Sequence, residues 1–149
     1  MEICFHSKSP DYGWLSNFDQ RGSFIIDGES WRTVEHYYQA QKFADPDLRR
    51  RIQAEKTAIA TKKLAQSHAG QVREDWDQVK ETVMRRALGA KFGQSRVLRN
   101  LLLKTGETIL VHQSSSDAYW GRSADGAGLN RLGEILMEVR EALRRDPGK

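Results

Sequence analysis

Ser30-Trp31-Arg32-Thr33-Val34-Glu35-His36-Tyr37-Tyr38-Gln39-Ala40-Gln41-Lys42-Phe43 is the stretch on which the reading of this chain turns. Thr33 is a residue type that caps helices, and a helical pattern begins directly after it. Side chains three, four and seven positions apart share a helix face, so Glu35, Tyr38, Gln39 and Lys42 form one stripe. Val34, Tyr37, Ala40, Phe43 and Ala44 fall on the other side as the expected core contacts. A Glu/Lys pair at such spacing is ordinarily a solvated surface pair. This stripe differs because it adds a phenol and an amide. Its glutamate also sits in the first turn, where the helix dipole favours a carboxylate.

The surrounding chain sets limits. Its 149 residues suit a single domain, 1–149, with a real core, and 38% hydrophobic with 30% charged residues describes a soluble globular chain. No apolar run approaches the ~20 residues that span a bilayer. The start, Met1-Glu2-Ile3-Cys4-Phe5-His6, has no basic region leading into an apolar one, so no signal peptide is expected. A lone cysteine, Cys4, fits a reducing, cytoplasmic location and reads as a buried strand residue. His6, His36, His68 and His112 show no metal-ligand spacing, so neither metal nor cofactor is expected. The net charge of +4 weakly favours anionic partners such as phosphates or nucleic acid.

Taken in order, residues 2–6 read as a strand and 8–18 as a turn-rich loop whose Trp14 and Phe18 either anchor it or face a base or sugar. Residues 23–31 read as a hairpin turning at Asp27-Gly28. Asp45-Pro46 opens a second helix, with Leu48 and Ile52 inward. Thr57 to His68 is a third, with Ala58, Ile59, Leu64 and Ala65 inward, and Trp76 to Phe92 a longer one stopped by Gly93. Gln94 to Lys104 carries Val97, Leu98, Leu101 and Leu102. A strand at 108–111 and a helix from Leu132 to Leu143 follow, then a frayed basic tail, 144–149. The fold class is α+β: a helix-rich domain with a small β-sheet.

A second unusual stretch is His112 to Asn130, too long for a simple connection and too aromatic, with Tyr119 and Trp120, for disorder. Gly121, Gly126 and Gly128 permit close approach of backbone N–H groups to a ligand, although such glycines also serve plain turns. Ser114, Asp117 and Trp120 precede them, and Asn130 leads into a helix N-terminus, a ready phosphate site. Arg73 and Trp76 form a third candidate. The pair either holds a phosphate and stacks a base, or caps a helix whose Trp is core.

The ordered set Gly13-Trp14-Leu15-Ser16-Asn17-Phe18, Val34-Glu35-His36-Tyr37-Tyr38-Gln39, Lys42-Phe43, Arg73-x-x-Trp76, Lys80-x-x-Val83-Met84, Ala87-Leu88-x-Ala90-Lys91-Phe92, Ser114-x-x-Asp117-x-x-Trp120-Gly121 and Asp125-Gly126-x-Gly128-x-Asn130-x-Leu132-Gly133 resembles the NADAR family. The resemblance runs over nearly the whole chain. It implies an N-glycosidase that cleaves the C1′–N bond of a ribosylated base or amine. Family substrates include early ribosylamino-pyrimidine intermediates of riboflavin synthesis and ADP-ribosylated guanine in DNA or RNA, the mark of a DarT-type toxin. Glu35, Trp76 and Asp117 match its active-site positions, with Lys42 and Trp120 nearby. Asn17, Tyr38, Gln39, Trp14, Arg73, His112 and Ser114 join them as candidate substrate contacts. The chain departs from many members at His112, where they have glutamate, and at Ser123, where they have glycine. The His112 departure points to the ADP-ribosyl-guanine branch. A ligand-binding module without catalysis is the rival from another class.

Ribosyl–nitrogen cleavage needs a proton for the departing nitrogen, stabilisation of C1′ and an attacking group. Glu35 and Asp117 fit acid and base roles. Lys42 fits attack on C1′ of the ring-opened sugar with formation of an imine, provided burial keeps its amine neutral.

Overall fold

Asp27 and Gly28 both have positive φ, 53° and 79°, as a two-residue hairpin turn that follows the strand twist requires. They join β2 (Phe24–Ile26) to β3 (Glu29–Trp31) in the expected antiparallel hairpin. The computed structural model describes residues 1–146. Within it the chain forms two compact units, residues 17–91 and residues 1–16 with 92 onward.

In the 17–91 unit the hairpin is followed by α1 (Val34–Ala40), α2 (Pro46–Ala54), α3 (Ala58–Gln66) and the start of α4 (Trp76–Gln94). The caps are those expected of the sequence. The Oγ1 atoms of Thr33 and Thr57 accept from the N–H groups of His36 and Ala60, each at 3.1 Å, and Asp45 accepts from Asp47 at 3.0 Å ahead of Pro46. The core joins Trp31, Val34, Tyr37, Ala40, Phe43, Leu48 and Ile52. All of α1 is buried, Glu35, Tyr38 and Gln39 of the polar stripe included, whereas Lys42, beyond its end, is half-buried. Ala44 is exposed, because α1 ends at Ala40 and the chain leaves the helix before it. Ile59 is also exposed, and Thr61 takes the inward place by returning its hydroxyl to Ala58 C=O at 2.6 Å.

In the other unit β1 (Glu2–Phe5) pairs in parallel with β4 (Ile109–His112), Phe5 opposite His112. α5 (Arg96–Lys104) and α6 (Arg131–Arg145) pack there around Phe5, Leu98, Leu102, Leu110, Leu132, Ile135 and Leu136. The expectations for Cys4 and Val97 fail. Strand alternation turns Phe5 inward and leaves Cys4 exposed, and Val97, on the outer face of α5, is 70% exposed. α4 runs on to Gln94 and α3 stops at Gln66. Arg144 and Arg145 belong to α6, tied to Glu141, so the tail does not fray there, and 147–149 lie outside the described residues. The architecture is α+β, six α-helices and two two-stranded sheets among the described residues. No described helix is long and apolar enough to cross a membrane.

Candidate active site

His36 fixes α1 in place. Its Nε2–H donates to Glu55 C=O at 2.8 Å, so Nδ1, 2.7 Å from Thr33 Oγ1, is the acceptor. Burial lowers its pKa, which keeps the ring neutral in this bridge between α1 and the end of α2. The turn that carries the stripe is thereby set. Glu35 is 7% exposed, and its backbone N–H donates to Asn17 C=O at 3.2 Å. Gln39, one helical turn on, donates from Nε2 to Glu35 Oε2 at 3.2 Å. Lys42 follows the end of α1 in a tighter turn, Lys42 N–H to Gln39 C=O at 3.3 Å, which keeps it in line with the stripe.

The amine of Lys42 lies in an aromatic corner. Its Nζ is 5.4 Å from the Tyr38 ring centre and 5.9 Å from that of Trp76, and the two rings meet at 65° with centres 5.1 Å apart. Burial pushes the amine below the ordinary lysine range. The Glu35 carboxylate pulls it back up, while the cations of Lys62 and Lys80 add to the lowering. Lys62 and Lys80 were missed as site residues. Lys80 opens the Lys80-x-x-Val83-Met84 motif, where its spacing alone points to no chemistry, and Lys62 leaves no local signal, since only packing brings α3 to α1.

Arg73 donates its backbone N–H to Lys42 C=O at 2.8 Å and so anchors the segment before Trp76. Its guanidinium forks onto Asp75, at 2.6 Å and 2.8 Å, which occupies the cation otherwise expected to hold phosphate. Asn17, Glu35, Tyr38, Gln39, Lys42, Arg73 and Trp76 are thus linked in one cluster of the 17–91 unit.

The remaining candidates lie in the other unit. Asp117 Oδ1 accepts from the N–H groups of Tyr119 (3.1 Å) and Trp120 (2.9 Å), and Ser114 Oγ accepts from Asp117 N–H at 3.1 Å. Both side chains therefore hold the loop's own turn. The glycines have internal reasons as well. A Cβ on Gly128 would meet Gly121 C=O at 2.4 Å, and one on Gly121 would meet the Ser114 Cβ at 2.8 Å. The N–H groups of Arg131 and Leu132, at the start of α6, donate to Tyr119 and Trp120 carbonyls at 3.0 Å and 3.1 Å, so this helix end does not offer them to phosphate. Asn130 brackets β4: Oδ1 accepts from His112 N–H and Nδ2 donates to Leu110 C=O, each at 2.9 Å. Gly126, at φ +90°, makes a turn with open space beside it. Trp120 is buried edge-on to Tyr119, their ring centres 4.9 Å apart. His112, beside Phe5, is held below the usual histidine range by burial, and its Nδ1 has no hydrogen-bond partner among the described residues. Trp14 anchors its loop, donating to Asp11 C=O at 3.0 Å and packing edge-on to Phe92.

Residues 4–144 match the NADAR domain family. The N-glycosidase YbiA of Shigella flexneri is 46% identical over 95% of this chain and 88% of its own length. A riboflavin biosynthesis protein of Vibrio vulnificus is 39% identical over 95% of this chain but only 38% of its own. The solved structure of the E. coli protein YbiA superposes with a TM-score of 0.89 at 43% identity, over 99% of this chain and 89% of that one. With the motifs in order across nearly the full length and the same α+β fold, this chain belongs to the NADAR family and is an N-glycosidase.

Proposed function

We propose that this N-glycosidase removes ADP-ribose from ADP-ribosylated guanine in nucleic acid, with Lys42 as nucleophile and Glu35 as proton carrier. The observation that carries the reading is an amine in an aromatic corner, on the same stripe as a buried carboxylate and partly desolvated. A ribosylamine opens when its nitrogen lone pair expels the ring oxygen, which takes a proton and leaves an electrophilic C1′. The neutral Lys42 amine adds to C1′. Glu35 relays the proton lost by Lys42 to the guanine nitrogen, the C1′–N bond breaks, and the sugar stays on Lys42 as an imine. Water adds to the imine, and collapse returns the free sugar and the amine. Trp76, half-buried with Tyr38 edge-on behind it, supplies a flat face for a base. The net charge of +4 and the His112 departure support a nucleic-acid substrate.

The Vibrio relative's name favours a second reading, cleavage of a ribosylamino-pyrimidine phosphate. A product assay by mass spectrometry on ADP-ribosylated guanine DNA and on the pyrimidine separates the two. ADP-ribose and restored DNA are expected. Ribose 5-phosphate from the pyrimidine alone would move the substrate to that metabolite, and binding of ADP-ribose without any product would leave a reader module. On the active substrate, Lys42→Ala and Lys42→Arg should each lose at least about a thousandfold in turnover, and borohydride should trap the sugar on wild type. Near-normal Lys42→Ala would remove the imine route and leave carboxylate acid–base catalysis.

A further inference from the structure

Two buried acceptors, Gln39 Oε1 and Asn17 Oδ1, have no hydrogen-bond partners among the described residues, and both belong to residues bonded to Glu35. Their orientation is chemically determined. Gln39 turns its NH2 to the Glu35 carboxylate, and the flipped amide would set oxygen against oxygen. Asn17 turns its NH2 to the Met84 thioether at 3.5 Å, and flipping would set its oxygen against the sulfur lone pairs. Each residue is also tied directly to Glu35, Gln39 through its side chain and Asn17 through its backbone carbonyl. A bound group with donors placed beside the reacting carbon would complete both acceptors.

We infer that Asn17 and Gln39 accept hydrogen bonds from the ribose hydroxyls next to C1′, so that the enzyme requires a ribosyl group and rejects a deoxyribosyl one. The inference rests on the proposed reading that Glu35 works at C1′. C2′ is one bond from that carbon and its hydroxyl oxygen two, within the span of groups fastened to Glu35. The consequence concerns specificity. ADP-ribosylated DNA presents one ribosyl–nitrogen bond among many deoxyribosyl–nitrogen bonds. Acceptors left unpaired by a deoxy sugar penalise attack on the latter, which protects the DNA from depurination.

The test uses N-glycosides of one amine that carry ribose, 2-deoxyribose or 3-deoxyribose. Wild type should lose about ten- to a hundredfold in kcat/KM when the matching hydroxyl is removed. In Gln39→Met or Asn17→Leu, shown to be folded by thermal melting, that penalty should fall below about threefold, as expected when the acceptor is gone. A penalty that persists unchanged in both variants would mean that the two residues only position Glu35, and would overturn the inference. So would wild-type turnover of both deoxy sugars within about threefold of the ribosyl compound, a result that needs no variant to fold. If the ribosyl compound itself is not cleaved, the proposed reaction fails. Calorimetry with ribose 5-phosphate and 2-deoxyribose 5-phosphate then decides the hydroxyl question alone. A preference of about tenfold or more for ribose supports it, and equal affinity refutes it.

Discussion

A lysine attacks carbon only as a neutral amine, and nothing in Lys42 itself makes it neutral at pH 7. Burial does so in part, and the Lys62 and Lys80 cations act in the same direction. The sign of their effect is testable. Below its pKa the amine is protonated, so kcat should rise with pH through that value. In Lys62→Met a like charge is removed, Lys42 holds its proton more tightly, and the acidic limb should move to higher pH by about 0.2–0.5 unit. Steady-state kinetics across pH on a saturating substrate measure it, and an unmoved limb would mean that deprotonation of Lys42 does not govern that limb. At the same scale Asp117 and Ser114 show how a residue suited to chemistry also serves structure, since their oxygens accept from the backbone of their own loop.

Among the elements, α6 depends on one residue for its entry. Asn130 adopts the left-handed conformation, φ 52°, and its amide bonds both to Leu110 C=O and to His112 N–H, tying the helix start to β4. Gly133 is glycine because a Cβ there would lie 2.1 Å from Leu110 C=O and 2.5 Å from that same amide. Asn130→Ala removes one buried and one part-buried hydrogen bond at a left-handed backbone position and should cost about 2–4 kcal/mol. Urea unfolding measures this. A change under about 0.5 kcal/mol would return Asn130 to the list of substrate contacts. The α1 cap has the same logic, since Thr33 both starts the helix and receives the His36 ring that joins it to α2.

Over the whole molecule, stability should carry the mark of a buried cation. Lys91 is 2% exposed, and burial brings its pKa to about 7, with partial support from Asp19. Unfolded, the same amine has the ordinary value of 10.5. Between those values the unfolded chain binds the extra proton, so stability rises with pH across the window, and below about 7 the penalty is fully present. The stability gap between Lys91→Met and wild type should therefore move against the variant as pH rises from 6 to 9.5, by an amount on the order of 1–3 kcal/mol. Denaturant midpoints at both pH values test it, and a constant gap would show that Lys91 keeps its proton throughout.

The sequence alone determined what is local. Thr33, Thr57 and Asp45 with Pro46 mark their helices because capping is a contact within one turn. Asp27-Gly28 marks its hairpin because the turn needs positive φ. Helical spacing set Glu35, Tyr38, Gln39 and Lys42 in line, and ordered motifs indicated the family. Burial and partners were decided only by tertiary structure. Spacing ranks faces by polarity, so it read Ile59 and Val97 as inward and Cys4 as buried, whereas packing exposes all three. The same cause hid the nearness of Lys62 and Lys80 to Lys42, the burial of Lys91, and the two acceptors left open on residues bonded to Glu35. Whether a polar atom is buried, and what meets it there, depends on residues distant in the chain, and no local pattern encodes them.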